Sequence, residues 1–112
     1  MAANTVICTF RVKRGHERPF QRLLKVHWPT LKRLGLVTAE PSRLFRGKDA
    51  SKKTCFVEIF TWKNQAAFDF AHRSPEVMAV WEPMGAHVEK RLGRPAWEFP
   101  HFEPVKARRG RA

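Results

Sequence analysis

The stretch TCFVEIFTW at residues 54–62 decides the fold. Its even positions carry Phe56, Glu58, Phe60 and Trp62, and its odd positions Cys55, Val57, Ile59 and Thr61. Successive side chains of a strand point to opposite faces, so an aromatic and β-branched run of this length reads as a strand that is apolar on both sides. A strand of that kind needs cover on both faces, and Glu58 is the one carboxylate it carries.

Outward from this strand the pattern extends in both directions. Residues 42–48 form a second strand, joined to it through the turn-prone residues 47–52, so the two make a hairpin. Residues 5–13 read as a strand with Val6, Cys8, Phe10 and Val12 on one face and Ile7 and Thr9 on the other. Gly15 breaks it. From His16 onward Phe20, Leu23, Leu24, His27, Leu31 and Leu34 recur at helical spacing, with Arg18, Arg22, Lys25, Lys32 and Arg33 opposite them, up to Gly35. Pro29 inside this helix predicts a kink over residues 25–29.

On the downstream side Asn64 caps a short helix over residues 65–72, and Ser74, Pro75 and Glu76 supply cap, first-turn proline and dipole-matched acid for another. Val77, Val80, Trp81, Met84 and Val88 give that helix an apolar stripe, which Pro83 bends and Gly93 and Pro95 stop. Residues 96–105 read as the last strand. The order β-α-β-β-α-β predicts an α+β, ferredoxin-like domain over residues 1–105, with an antiparallel sheet and its helices on one face. The second apolar face calls for another sheet, most simply that of a second copy in a homodimer.

A chain of 112 residues has room for one domain. Its net charge is +12; residues 1–54 carry 13 Lys and Arg against 3 acids, whereas residues 55–105 carry 5 against 7. The remaining positive charge lies in residues 106–112, read as a basic disordered tail. Such a field draws nucleic acid or an acidic partner to the basic face of Arg18, Arg22, Lys25, Lys32 and Arg33, although a solvated surface explains it as well. RNA-recognition modules share the element order, but their third-strand aromatic signature is absent from residues 54–62. Signal-peptide and membrane-spanning patterns are lacking, so a cytoplasmic protein is expected. Cys8 and Cys55 stand without nearby ligand-type residues, so neither a metal nor a disulfide framework is signalled.

The segments VICTFRVKRG at residues 6–15, FVEIFTW at 56–62 with the helix over 64–71, and AHRSPEVMAVWEPM at 71–84 resemble the dimeric α+β barrel superfamily, within it the antibiotic biosynthesis monooxygenase-like domains. The resemblance implies a homodimer and one pocket per subunit between sheet and helices. It does not imply a reaction, because members include cofactor-independent oxygenases of polycyclic phenols, haem-degrading enzymes and proteins of other roles; the leading expectation is a small hydrophobic or aromatic ligand and monooxygenase-like chemistry without cofactor or metal, and the alternative a non-catalytic binding or assembly protein. Relatives that degrade haem carry Trp and His where this chain has Ala71 and Trp81, which disfavours that reaction. Phenol oxygenases of the family commonly use Tyr, and this chain contains none.

Among candidate residues Glu58 stands first. A carboxylate between Phe56 and Phe60 is desolvated and suited to act as a general base, unless an ion pair to Arg46 or Arg11 on a neighbouring strand neutralises it. His72, at a helix end, is the candidate proton donor. Phe60, Trp62 and Trp81 are expected to wall a pocket, with His27 and Trp28 at a mouth opened by Pro29 and Arg46 as a further substrate contact. For each aromatic the plain alternative is ordinary core. His87 and His101 read as a surface or interface pair.

Overall fold

The structure, a computed structural model, describes residues 4–105. Its elements are β1 (Asn4–Arg11), α1 (Glu17–Arg33), β2 (Arg43–Lys48), β3 (Thr54–Trp62), α2 (Gln65–Ala71), α3 (Pro75–Gly85), β4 (Trp97–Glu98) and β5 (His101–Phe102). The antiparallel sheet has the order β2-β3-β1-β4, with β5 also paired to β1. This is the ferredoxin-like arrangement that the sequence predicts. The basic tail of residues 106–112 lies outside the described residues.

Register places the decisive strand at the centre. Phe56 pairs with Phe10, Glu58 with Cys8, and Phe60 with Val6, so the even positions of β1 and β3 share one face. All six are buried. Phe20, Leu24 and Leu31 of α1 and Val77 and Met84 of α3 pack into the same core. Each such side chain contributes about 2 kcal/mol by leaving water, which makes this face the main source of stability. The odd positions Ile7, Val57 and Ile59 lie on the other face and are only half-buried, and Phe45 of β2, paired with Val57, is 44% exposed.

Local chemistry explains the helix ends. Asn64 Oδ1 accepts from the Ala67 amide at 2.8 Å and Ser74 Oγ from the Val77 amide at 3.2 Å, the caps expected for α2 and α3. At the end of α1 Gly35 adopts φ +76°, and the amides of Gly35 and Leu36 return to the carbonyls of Lys32 and Leu31 at 3.0 Å each. That left-handed closure is why a glycine stands there. Pro29 lies within α1, which continues to Arg33.

Two elements differ from expectation. The third helix ends at Gly85 rather than near Gly93. Val88 instead bridges Val12, and the Glu89 amide donates to the Arg11 carbonyl at 2.8 Å. Buried Arg91 holds this segment to the sheet edge, donating to the carbonyls of Val12 and Thr54 at 2.9 and 2.7 Å and pairing with Asp49 and Glu89 at 3.0 Å each. Hydrogen bonds from Ser51, with Arg91 adding its charge, hold the Asp49 carboxyl down to about 2. Periodicity cannot reveal that Arg91 offers Val88 a better place than another helical turn. The expected last strand is also split, into β4 and β5. Pro100 between them has no amide to give a ladder, while its carbonyl still accepts from the Ile7 amide at 3.2 Å.

Candidate active site

Glu58 is fully buried in the middle of β3. Its partner is neither Arg46 nor Arg11. Arg11 lies on the opposite face of the sheet, where it donates to Glu98 at 2.9 Å and to the Pro95 carbonyl at 2.8 Å; those bonds, with Arg94, hold the Glu98 carboxyl below its ordinary value. Arg46 sits over the Phe56 ring at 5.5 Å and reaches Gln21 at 3.4 Å, at the exposed edge of the sheet.

Glu58 Oε1 instead meets His27 Nδ1 of α1 at 2.7 Å, and the imidazole is itself 2% exposed. On its other side His27 Nε2 lies 2.8 Å from Nε1 of Trp81 on α3. An indole N–H can only donate, so Nε2 must be the acceptor. The ring proton of the neutral imidazole therefore sits on Nδ1 and is donated to Glu58. A carboxylate, an imidazole and an indole thus form one chain that links β3, α1 and α3. Among the described residues Glu58 Oε2 has no hydrogen-bond partner.

The chain abuts an apolar cavity of about 310 Å³, lined by His27, Phe60, Trp62, His72 and Trp81 from the predicted set. Phe60 and Trp62 contact edge to face with centroids 5.3 Å apart, and Trp81 meets His72 in the same way at 5.0 Å. His72, at the exposed C-terminal end of α2, donates its Nδ1 proton to the Phe68 carbonyl at 3.0 Å when neutral, which leaves Nε2 as an acceptor.

Trp28 and Arg46 do not join them. Consecutive helix residues are about 100° apart, so α1 cannot aim both His27 and Trp28 at one cavity. Trp28 packs half-buried against the core elsewhere, its indole N–H without a partner among the described residues. Arg46 belongs to the basic edge between β2 and α1.

Cys8, Phe68, Met78, Glu82, Trp97, Phe99 and His101 complete the lining, and none of them was expected at the pocket. Register places Trp97 beside Phe10 and His101 beside Val6, on the buried face. Alternation along the last strand carried that signal, but only pairing with β1 turns it into a position. Among the described residues the buried Trp97 indole N–H makes no close hydrogen bond, and the Cys8 thiol is the polar group beside it. Burial, and secondarily the charge of His72, lower the pKa of His101, so an uncharged ring faces the cavity at neutral pH. Burial, then the facing Glu58, pushes the Cys8 thiol well above its ordinary value, which disfavours the thiolate needed of a nucleophile. His87 pairs with His16, their Nδ1 atoms 3.0 Å apart, and not with His101. Among the described residues no three His, Cys, Asp or Glu side chains cluster as metal ligands.

No family profile matches the sequence, and no curated protein is similar to it. Solved structures are. SnoaB, a cofactor-independent oxygenase from Streptomyces nogalater, is 17% identical over 96% of this chain and 97% of its own, with a TM-score of 0.69. An antibiotic biosynthesis monooxygenase is 18% identical over 92% of this chain and 99% of its own, with a TM-score of 0.61. A protein of Pseudomonas aeruginosa is 14% identical over 95% and 97%, with a TM-score of 0.71. The chain thus shares, along nearly its whole length, the fold of these solved structures, a cofactor-independent oxygenase and an antibiotic biosynthesis monooxygenase among them.

Proposed function

We propose that this chain is a homodimeric enzyme that binds a small hydroxylated aromatic compound in the cavity and withdraws its hydroxyl proton, in the manner of a cofactor-independent monooxygenase. The observation that carries the reading is the buried Glu58–His27 pair, whose imidazole lines a mostly apolar cavity while the carboxylate stands behind it. Unpaired charge in such a place is costly, and a fold that only needed a core would gain by replacing it with apolar side chains.

In this reading His27 Nε2 is the proton acceptor and Glu58 the anchor that holds the imidazole in the required tautomer. A substrate hydroxyl takes the place of the Trp81 N–H at Nε2. As the proton crosses, His27 becomes an imidazolium beside the Glu58 carboxylate, so the charge that appears is matched where it forms, the arrangement that makes an acid–histidine pair an effective base. The ring left behind is an electron-rich phenolate, the form of a phenol that dioxygen oxidises most readily. Phe60, Trp62 and Trp97 hold the ring by edge and face contacts, and His72, after taking a proton at its free Nε2, returns it as the proton donor at the exposed end.

The homodimer is supported by the uncovered sheet face, where Ile7, Val57, Ile59 and Phe45 form an apolar surface without a helix over it. The test of the ligand reading is a tryptophan-fluorescence titration with 1-naphthol and with 1-methylnaphthalene, which match in size and differ in the hydroxyl. Tighter binding of the naphthol, by about tenfold, is expected from one hydrogen bond to a buried ionisable pair. Equal binding of the two, or of neither, contradicts the assignment.

A further inference from the structure

A second concave surface lies between the N-terminal half of α1 and β2, with a volume of about 590 Å³ and a polar lining. Arg18, Arg22 and Lys25 reach it from the helix and Arg46 from the strand. Their spacing on one helix face spans about 10 Å, so the cations are gathered rather than strewn. Among the described residues Arg18, Arg22, Lys25 and Arg46 make no salt bridge, and the one side-chain hydrogen bond of Arg46 is the 3.4 Å contact with Gln21. The single acid in the lining, Glu17, accepts the Gly15 amide at 2.9 Å and also feels the charge of Arg46, so the cleft sets four cations against one carboxylate.

Four like charges held around one hollow repel one another, and an anion that enters relieves all of them together. Guanidinium groups present planar pairs of donors that match phosphate oxygens, and Arg46 is already held in place by the ring of Phe56 beneath it. We infer that this cleft binds a compact anion carrying two or three clustered phosphate groups, free or as part of a nucleotide. A hollow only about 10 Å long, enclosed by a helix and a strand, fits a di- or triphosphate better than the open, extended track that a nucleic-acid strand requires. The site is independent of the apolar cavity, whose lining shares no residue with it.

The test is isothermal titration of the full chain with inorganic tripolyphosphate at physiological ionic strength, beside a nucleoside triphosphate and a single-stranded oligonucleotide. One saturable site per chain is expected. The double variant Arg22→Gln/Arg46→Gln weakens binding by about tenfold or more, as the loss of charge-assisted hydrogen bonds requires, while Lys53→Gln/Lys63→Gln removes the same charge outside the cleft and leaves it within about twofold. Equal affinity for the two phosphate compounds means that the phosphates alone are recognised, and tighter nucleotide binding that the rest of the molecule is also held; both support the site. Circular dichroism checks that each variant folds, and Arg18→Gln serves as a second cleft variant. Absence of saturable binding, equal loss in the two double variants, or oligonucleotide binding that tripolyphosphate does not compete each overturns the inference.

Discussion

Trp81 donates its indole proton to His27 Nε2 at 2.8 Å, and that one bond fixes the state of the imidazole, because the remaining proton must then sit on Nδ1 against Glu58. The expected resting form is the Nδ1–H tautomer, visible as a protonated Nδ1 and an unprotonated Nε2 in nitrogen-15 spectra of labelled histidine at neutral pH. Trp81→Phe removes the donor, lets the tautomers mix and costs about 1 kcal/mol of stability. A predominant Nε2–H form in the native protein contradicts this geometry.

Removing the two members of the pair has unequal consequences. Glu58→Gln keeps a carbonyl that still accepts from Nδ1, so unfolding in denaturant is expected to shift by about 1 kcal/mol. His27→Ala leaves a buried carboxylate without a partner and is expected to cost about 3 kcal/mol or more. A smaller loss for His27→Ala than for Glu58→Gln shows that the two do not pair as described.

Two histidines make stability depend on pH. Burial lowers the pKa of His101, helped by His72, and lowers that of His87, helped by His16 and Lys13. Each is therefore easier to protonate in the unfolded chain than in the folded one, so the unfolded state binds more protons and stability rises with pH. The contribution is complete above the unfolded value of about 6.5 and is lost progressively as pH falls below it. Thermal midpoints at pH 7.5 and pH 5.5 check this, and His87→Gln/His101→Gln should flatten the difference. An unchanged slope in the double variant removes these residues from the account.

The uncovered sheet face predicts assembly. Ile59→Glu places a charge between Ile7 and Arg43, its register partners on the outer side. Sedimentation velocity is expected to show a dimer for the native chain and a monomer for the variant. A native monomer means that this face is stable in water, against the homodimer.

Much of the fold was legible because periodicity is a local property. The alternation in residues 54–62, the stripe of Phe20, Leu24, His27 and Leu31, and the caps Asn64 and Ser74 each announce an element from a few neighbours in sequence. The end of α3 was not legible, since it depends on Arg91 reaching across to the carbonyls of Val12 and Thr54, far away along the chain. The site divides in the same way. Glu58 stood out as an acid in an apolar strand, but its partner is set by packing between α1 and β3, and two arginines on adjacent strands were the natural alternatives. Alternation alone shows neither that Arg11 faces the other side of the sheet nor that Trp97 and His101 reach the cavity.

The central claim is that the Glu58–His27 pair withdraws a proton from a ligand in the apolar cavity. Dioxygen uptake with hydroxylated naphthalenes and anthracenes, compared between the native chain and Glu58→Gln, tests it most directly. Saturable uptake that falls by about 10²–10⁴-fold in the variant, with ligand binding retained, is the result expected when the base His27 loses the carboxylate that orients it and matches its charge. Uptake that is the same in both proteins, or absent with every hydroxylated aromatic that binds, contradicts it.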